Sequence, residues 1–474
     1  MTEKSKDSSQ QRLSIFSLVL GKSRVTNELL EFPYAGSGTQ DDPYVVNFIP
    51  DDAGNPYNWS TALRCVITII AGGGTLATSF ASTAFTGTLF ELESDLGAST
   101  ELITAAVSLF VLGFAVGPLL WAPLSEMYGR RIIFVITFGA FTAFNAGCAG
   151  ANTTATILAL RFFAGAFGSS TLTNTAGTAL SLFVLMPVVG PTLGPLCGGF
   201  LGEKQGWRWV AGMIAIVGGV VWILGTLFIP ETYATVILRR RAAELSQITN
   251  KTYVIQLDIN GRGASVGSLL KTSLTRPWVF LFKEPIVSLL SLYMAIIYGT
   301  LYLFFGAFPV IYQLDRHWSE GIGGLPFLGG SVGLLCAAAF SFWTNKKYKE
   351  IAKMKGGIVP PETRLIPASP SIHWVSSVLA NVPFGFGLLV VFSSITNYLI
   401  DSYLIFAASA IAANTVLRSL FGAAFPLFTP YMYQSLGIHW ASSVPAFLSL
   451  ACVPLPFIFY KYGAKIRKRC TYAS

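Results

Sequence analysis

Three charged side chains interrupt stretches that are otherwise apolar: Arg161, Asp401 and Arg418. A charge at bilayer depth costs about 2.5–3.5 kcal/mol on insertion scales, so each should face a bundle interior or water, or reach the headgroups. Asp401 is the one acid with apolar segments on both sides. A carboxyl so placed can take up and release a proton; the alternative is a wet turn between two spans. Arg418 is then either its partner or a seat for acidic substrates, with Asn397 and Asn414 as polar neighbours along the same stretch. Tyr298, Tyr302 and Phe305 belong to an aromatic run that covers more than one helix face. Such a run lines a cavity for flat or cationic compounds, or else serves packing and the headgroup belts. No enzyme site is expected. His317, His373 and His439 are far apart, and Cys65, Cys148, Cys197, Cys336, Cys452 and Cys470 show no paired spacing, which disfavours catalytic clusters, metal ligands and disulfides alike.

The elements that must hold these residues are membrane helices. The chain has 474 residues, 53% of them hydrophobic and 12% charged, and a mean hydropathy of +0.58. That is too apolar for a soluble globular protein. Eleven stretches reach the roughly 20 apolar residues a span requires: 64–89, 102–124, 132–150, 155–174, 177–201, 208–229, 286–312, 322–343, 373–396, 401–426 and 438–460. The excess of 32 Lys+Arg over 23 Asp+Glu sits in loops, the positive-inside pattern, rather than marking a nucleic-acid surface. The expected layout is a polar, solvated cytosolic tail (1–60), a six-span bundle (61–230), a basic central loop (231–285), a second bundle of about five spans (286–461) and a basic tail (462–474).

Two segments suggest motion. In Pro187–Phe200, PVVGPTLGPLCGGF, glycines 190, 194 and 198 recur every four residues, giving one smooth helix face for close backbone approach. Pro191 and Pro195 remove donors and bend the helix, which hydrocarbon tolerates where neighbours or Ser/Thr side chains re-satisfy the freed carbonyls. An ordinary small-residue contact is the alternative reading. The second segment is Ala122–Arg131, APLSEMYGRR, with Glu126 and the turn glycine Gly129 ahead of Arg130 and Arg131. An acid at a helix end beside an arginine pair can form a charge lock that opens as bundles rock; plain anchoring in the cytosol is the alternative.

These segments resemble motifs of the major facilitator superfamily. Gly190-Pro191 through Gly194, Pro195, Gly198 and Gly199 is similar to its fifth-span antiporter motif; Glu126–Arg131 resembles its loop between spans two and three, with Ala122 in place of the leading glycine; Arg161, Gly165 and Gly168 resemble its fourth-span arginine motif. The stretch before the first span and the PET-Y wording from Pro230 resemble fungal drug:proton antiporters of that superfamily. The resemblance implies an all-α polytopic membrane protein of two helical bundles, with about eleven of the usual twelve spans. It further implies proton-coupled export of drugs or small secondary metabolites, with Arg161 and Asp401 in coupling. It needs no cofactor beyond the proton gradient. The partners are a small organic substrate, protons and the bilayer, but no nucleic acid, for a monomer at the plasma membrane or, alternatively, the vacuole. A polyamine or nutrient transporter of the same superfamily is the rival; the scarcity of acids at membrane depth counts against polyamines.

Two departures stand out. Between Asn174 and Ser181 the chain has only NTAGTALS, where the family has a longer charged loop. After Arg364 it runs through IPASPSIHW straight into the next apolar segment, where the family has a ninth span. Eleven crossings would leave the C-terminus outside, yet Lys461, Lys465, Arg467, Lys468 and Arg469 should stay inside. A re-entrant excursion over 366–397, inverted insertion of the last three spans, or a shortened product of a longer gene would each resolve the conflict. The last fits best and implies a form that transports poorly or not at all.

Overall fold

The computed structural model describes residues 25–174, 180–259, 266–354, 381–403 and 406–467, together with Cys470 and Tyr472. Its first bundle begins at Thr61, where Ser60 caps the helix by accepting from the Leu63 N–H at 3.3 Å. The six helices are Thr61–Thr83, Thr100–Tyr128, Arg130–Ala149, Thr154–Gly168, Leu180–Gln205 and Trp207–Phe228, hereafter α1–α6. After Thr83 the first helix tightens into 3₁₀ geometry over Ala84–Thr88. Helix Ser170–Asn174 precedes the expected Asn174–Gly177 turn, the rest of which lies outside the described residues.

The second bundle is α7 (Pro285–Phe308), α8 (Pro326–Met354), α9 (Asn381–Ser402), α10 (Ala407–Cys452) and α11 (Pro454–Arg467). Helix α10 is two helices in one, because Gly437 interrupts it at φ +70°, a left-handed conformation that glycine alone adopts without cost. Ten helical stretches are long and apolar enough to cross a membrane, the last running from Ala407 to Gly463. The break at Gly437 divides that stretch into two helical segments.

Two helices of the central loop, Ala234–Thr249 and Val266–Lys283, define what we call the linker face. Two contacts set the direction of α9 relative to α7. Phe384 packs edge-on against Phe304 near the far end of α7 (5.2 Å), while Tyr403 donates to Glu284 at its linker-face start (2.8 Å). Helix α9 therefore runs from the far face to the linker face. So does α8, whose Phe327 meets Phe305 (4.9 Å) and Phe308 (4.5 Å). The two are parallel neighbours, and residues 355–380, where the ninth span was missed, lie outside the described residues. Of the expected span at 373–396, residues 373–380 lie outside the described residues, and the described helix runs Asn381–Ser402. A 22-residue helix is no shallow excursion; the remainder of the 366–397 stretch also lies outside the described residues.

The charge conflict dissolves accordingly. Tyr472 stacks on Phe280 (5.2 Å), and its N–H donates to Glu284 (3.2 Å), so the basic tail shares the face of the basic linker.

A further correction concerns residues 25–60, which are not a free solvated tail. Tyr44–Val45 pairs in parallel with Tyr253–Val254, the one sheet among the described residues. Tyr34, Val46, Ala242, Leu245 and Tyr253 share an apolar cluster. Beneath it Asp52 accepts both terminal nitrogens of the buried Arg241. The aromatic and β-branched run Tyr44-Val45-Val46 suits a strand, but a two-residue strand is too short to read without its partner.

Candidate functional site

The glycine face of α5 is satisfied inside its own bundle. A Cβ at Gly190 would strike Ser79, one at Gly194 would strike Thr83, and one at Gly198 the Ala84 carbonyl, so the face lies on α1 and its 3₁₀ extension. One carbonyl freed by a proline is re-satisfied here: Thr83 Oγ1 donates to the Pro191 carbonyl (2.8 Å), which Pro195 cannot reach; Ser79 Oγ also donates to the Met186 carbonyl (3.0 Å). The small residues Gly329 and Gly333 of α8 would suit a meeting with this face, but Gly333 does not make one. Gly333 of α8 packs instead on the Val382 carbonyl of α9. The contact between bundles falls to the adjacent side of α5, where Gly199 abuts the backbone of Glu320 and Gly321, and Gly324 abuts Pro195 and Leu196. Few polar bonds cross this far-face seam: Gly321 N–H to Glu203 (2.9 Å), Ser331 Oγ to Thr192 (2.9 Å) and Gln313 to the Gly87 carbonyl (3.4 Å).

At the linker face a second acid, Glu231, reaches the backbone of the arginine pair. Gly129, at φ +103°, ends α2 and admits the Glu231 carboxylate where a Cβ would stand. Glu231 then accepts the N–H groups of Arg130 (3.0 Å) and Arg131 (3.3 Å) at the start of α3, and of Thr232 (3.0 Å) and Tyr233 (2.9 Å). An anion against free N–H groups at a helix start is favoured by both hydrogen bonding and the dipole. Arg131 donates onward to the Thr226 carbonyl (3.2 Å), and Arg130 lies over the Tyr233 ring (5.4 Å). Burial pushes the Tyr233 phenol above its usual value, and Glu126 adds to that, so the ring stays neutral beneath the guanidinium. Glu126 itself is exposed, within electrostatic reach of Arg130. The signal for Glu231 was its PET-Y context, an acid just past the end of a span.

The bundle centre holds the two arginines. Arg161, fully buried, donates to the carbonyls of Ala81 (2.8 Å), Ser82 (3.1 Å) and Ala106 (3.3 Å) and lies over Phe110 (4.2 Å) and Phe85 (4.9 Å). The shift of α1 into 3₁₀ geometry makes those two α1 carbonyls available, because the regular ladder stops there. It does not snorkel. From Ser82 the chain of polar groups crosses between bundles: Ser82 Oγ to Tyr302 Oη (2.8 Å), then Tyr298 Oη to Tyr302 Oη (3.5 Å). Arg418, on α10, lies over the rings of Tyr298 (4.7 Å) and Phe392 (4.9 Å). One turn before it, Asn414 donates to Ser291 (3.4 Å). Phe305 stacks on Tyr302 edge-on (5.5 Å).

The structure thus gathers Arg161, Tyr298, Tyr302, Phe305, Asn414 and Arg418. Asp401 stands apart, half-buried in the last turn of α9, and is not ion-paired with Arg418, which lies three turns into α10. Asn397 is half-buried one turn before Asp401.

Comparison with known proteins agrees with this architecture. Residues 71–426 match the model of the Major Facilitator Superfamily. A multidrug transporter of that superfamily from Aspergillus fumigatus, mdrA, is 52% identical, with all of this chain and 83% of that protein aligned. An efflux pump of Trichophyton rubrum, MFS2, is 54% identical over 95% of this chain and 80% of its own. The efflux pump FUB11 of Gibberella moniliformis is 46% identical over 95% and 81%. Among solved structures, the proton:xylose symporter XylE shares the fold at a TM-score of 0.57 and 15% identity, covering 85% of this chain and 96% of that one. The human organic anion transporter MFSD10 does so at 0.54 and 17%, covering 84% and 99%. The glycine-faced α5, the Gly129 turn and the paired bundles are thus those of a transporter, and the chain belongs to the Major Facilitator Superfamily, among its fungal multidrug and efflux pumps.

Proposed function

We propose that the protein exports small organic compounds, drugs or secondary metabolites, in exchange for protons, by rocking of its two bundles about the central arginine–tyrosine cluster. The far-face seam carries this reading. Backbones meet there across glycines with few crossing hydrogen bonds, a surface that separates without unmaking a core. Among the polar groups at the centre, Arg161 and the Ser82–Tyr302 bridge are the proposed organisers of coupling, and Asp401 is the proposed proton carrier. The proton gradient suffices, without a cofactor. We place the protein, as a monomer, in the plasma membrane.

A second reading, a shortened form that transports poorly, has one observation in its favour. The match to mdrA runs over 502 residues against the 474 of this chain, so the alignment holds positions this chain lacks. Expression in a pump-deficient yeast, beside a full-length relative, separates the two. Dye efflux that an uncoupler abolishes supports export; accumulation equal to the empty vector, with the relative active and both proteins at the membrane, supports the shortened form.

A further inference from the structure

The two central arginines bear equal charge in equally dry surroundings but are treated differently. Arg161 has three backbone acceptors. Arg418 is 4% exposed, and its guanidinium makes no hydrogen bond and no ion pair among the described residues; its Nε is sealed from solvent as well as unpartnered. Its neighbours are ring faces, Tyr298 and Phe392, with Gly422 one turn on packed against Tyr298. Ring faces stabilise a cation but accept none of its five N–H bonds in the plane of the fork. A buried charge left this way is costly unless something else completes it.

We propose that Arg418 is the anion seat of the transport site, and that the substrate class is small aromatic carboxylic acids carried as their anions. The proposal rests on the export reading above and deepens it. With Tyr298 and Phe392 packed beside the guanidinium, its N–H fork is left without an acceptor, and a carboxylate matches that fork with two parallel hydrogen bonds. Tyr298, Tyr302 and Phe305 are buried against one another in this arrangement; parted by rocking of the bundles, they offer a flat apolar wall for the ring of such a molecule, with the Asn414 amide, now donating to Ser291, one turn away from Arg418. Neutralising Arg418 on binding would also explain how the site keeps a charge with no resident counterion.

The test uses purified full-length protein in detergent and two fluorescent probes of one shape: 7-hydroxycoumarin-3-carboxylate and its neutral carboxamide. Wild type is expected to bind the carboxylate at least tenfold more tightly than the amide. Arg418→Met should bring that ratio close to one, and Arg418→Lys, which keeps charge but not the fork, should leave an intermediate ratio. The probe-free Arg418→Met protein should melt no lower than wild type, because an unpartnered charge has been removed; a lower melting temperature would mark Arg418 as structural and overturn the proposal. No carboxylate preference in wild type, or an unchanged one in Arg418→Met, would overturn it too. The readout is binding, so it fails separately from export: a protein that prefers the carboxylate yet pumps no dye keeps the anion seat and loses only the transport reading.

Discussion

Glu231 shows how a single carboxylate organises the linker face. It accepts four backbone N–H groups, whereas Glu126, the acid of the sequence motif, is exposed. Exposed ion pairs contribute about 0–1 kcal/mol, while hydrogen bonds to a buried charged group contribute about 1.5–3 kcal/mol each. Glu231→Gln should therefore lower thermal stability in detergent by about 2 kcal/mol or more, and Glu126→Gln by under about 1 kcal/mol. A melting comparison in which Glu126→Gln is the more damaging change would show that the motif acid, not Glu231, closes the lock. Neither outcome was legible from spacing, since residues 126–131 and 231 are joined only by the Gly129 turn.

At the scale of elements, α5 is bent by its prolines and held by its neighbour. Pro195 frees the Pro191 carbonyl and Thr83 occupies it. Thr83→Val should cost about 1–3 kcal/mol by leaving that carbonyl dry and unpaired. In a Pro195→Ala background the new N–H reaches the same carbonyl, so the cost should fall; equal costs in both backgrounds would mean the hydroxyl serves some other purpose. The two sides of α5 differ likewise. Gly194→Leu forces a side chain into α1 within one bundle and should lower stability by about 1–3 kcal/mol or more. Gly199→Leu acts on the seam between bundles and should instead bias the rocking equilibrium, reducing efflux at near-normal melting temperature. Dye efflux and melting curves, measured on both variants, check the division.

The whole molecule settles its own topology through a few contacts on the linker face. Tyr403 and Tyr472 both reach Glu284, which puts the end of α9 and the chain terminus beside the start of α7. A tag fused after Ser474 should accordingly be accessible to antibody from the same side of the membrane as one inserted in the central loop near residue 262. Opposite accessibility would restore the odd count of crossings. The docked tail adds a second tie on this face: Asp52 and Arg241, buried together, join the start of the chain to the loop between the bundles.

The sequence alone determined the class of this protein and most of its spans, because a bilayer demands about 20 apolar residues per crossing and proline, glycine and buried arginine are costly enough to stand out wherever they occur. It also placed Gly190, Gly194 and Gly198 on one face, since helical period is a local property. Which surface that face would meet, which acid would enter the Gly129 turn, and which of Arg161 and Arg418 would find acceptors depended on residues 55 to 123 positions away in the chain. Periodicity carries no information about partners at that separation. Packing chose them, and with them decided that Arg161 is filled by its own backbone while Arg418 is left for something the chain does not contain.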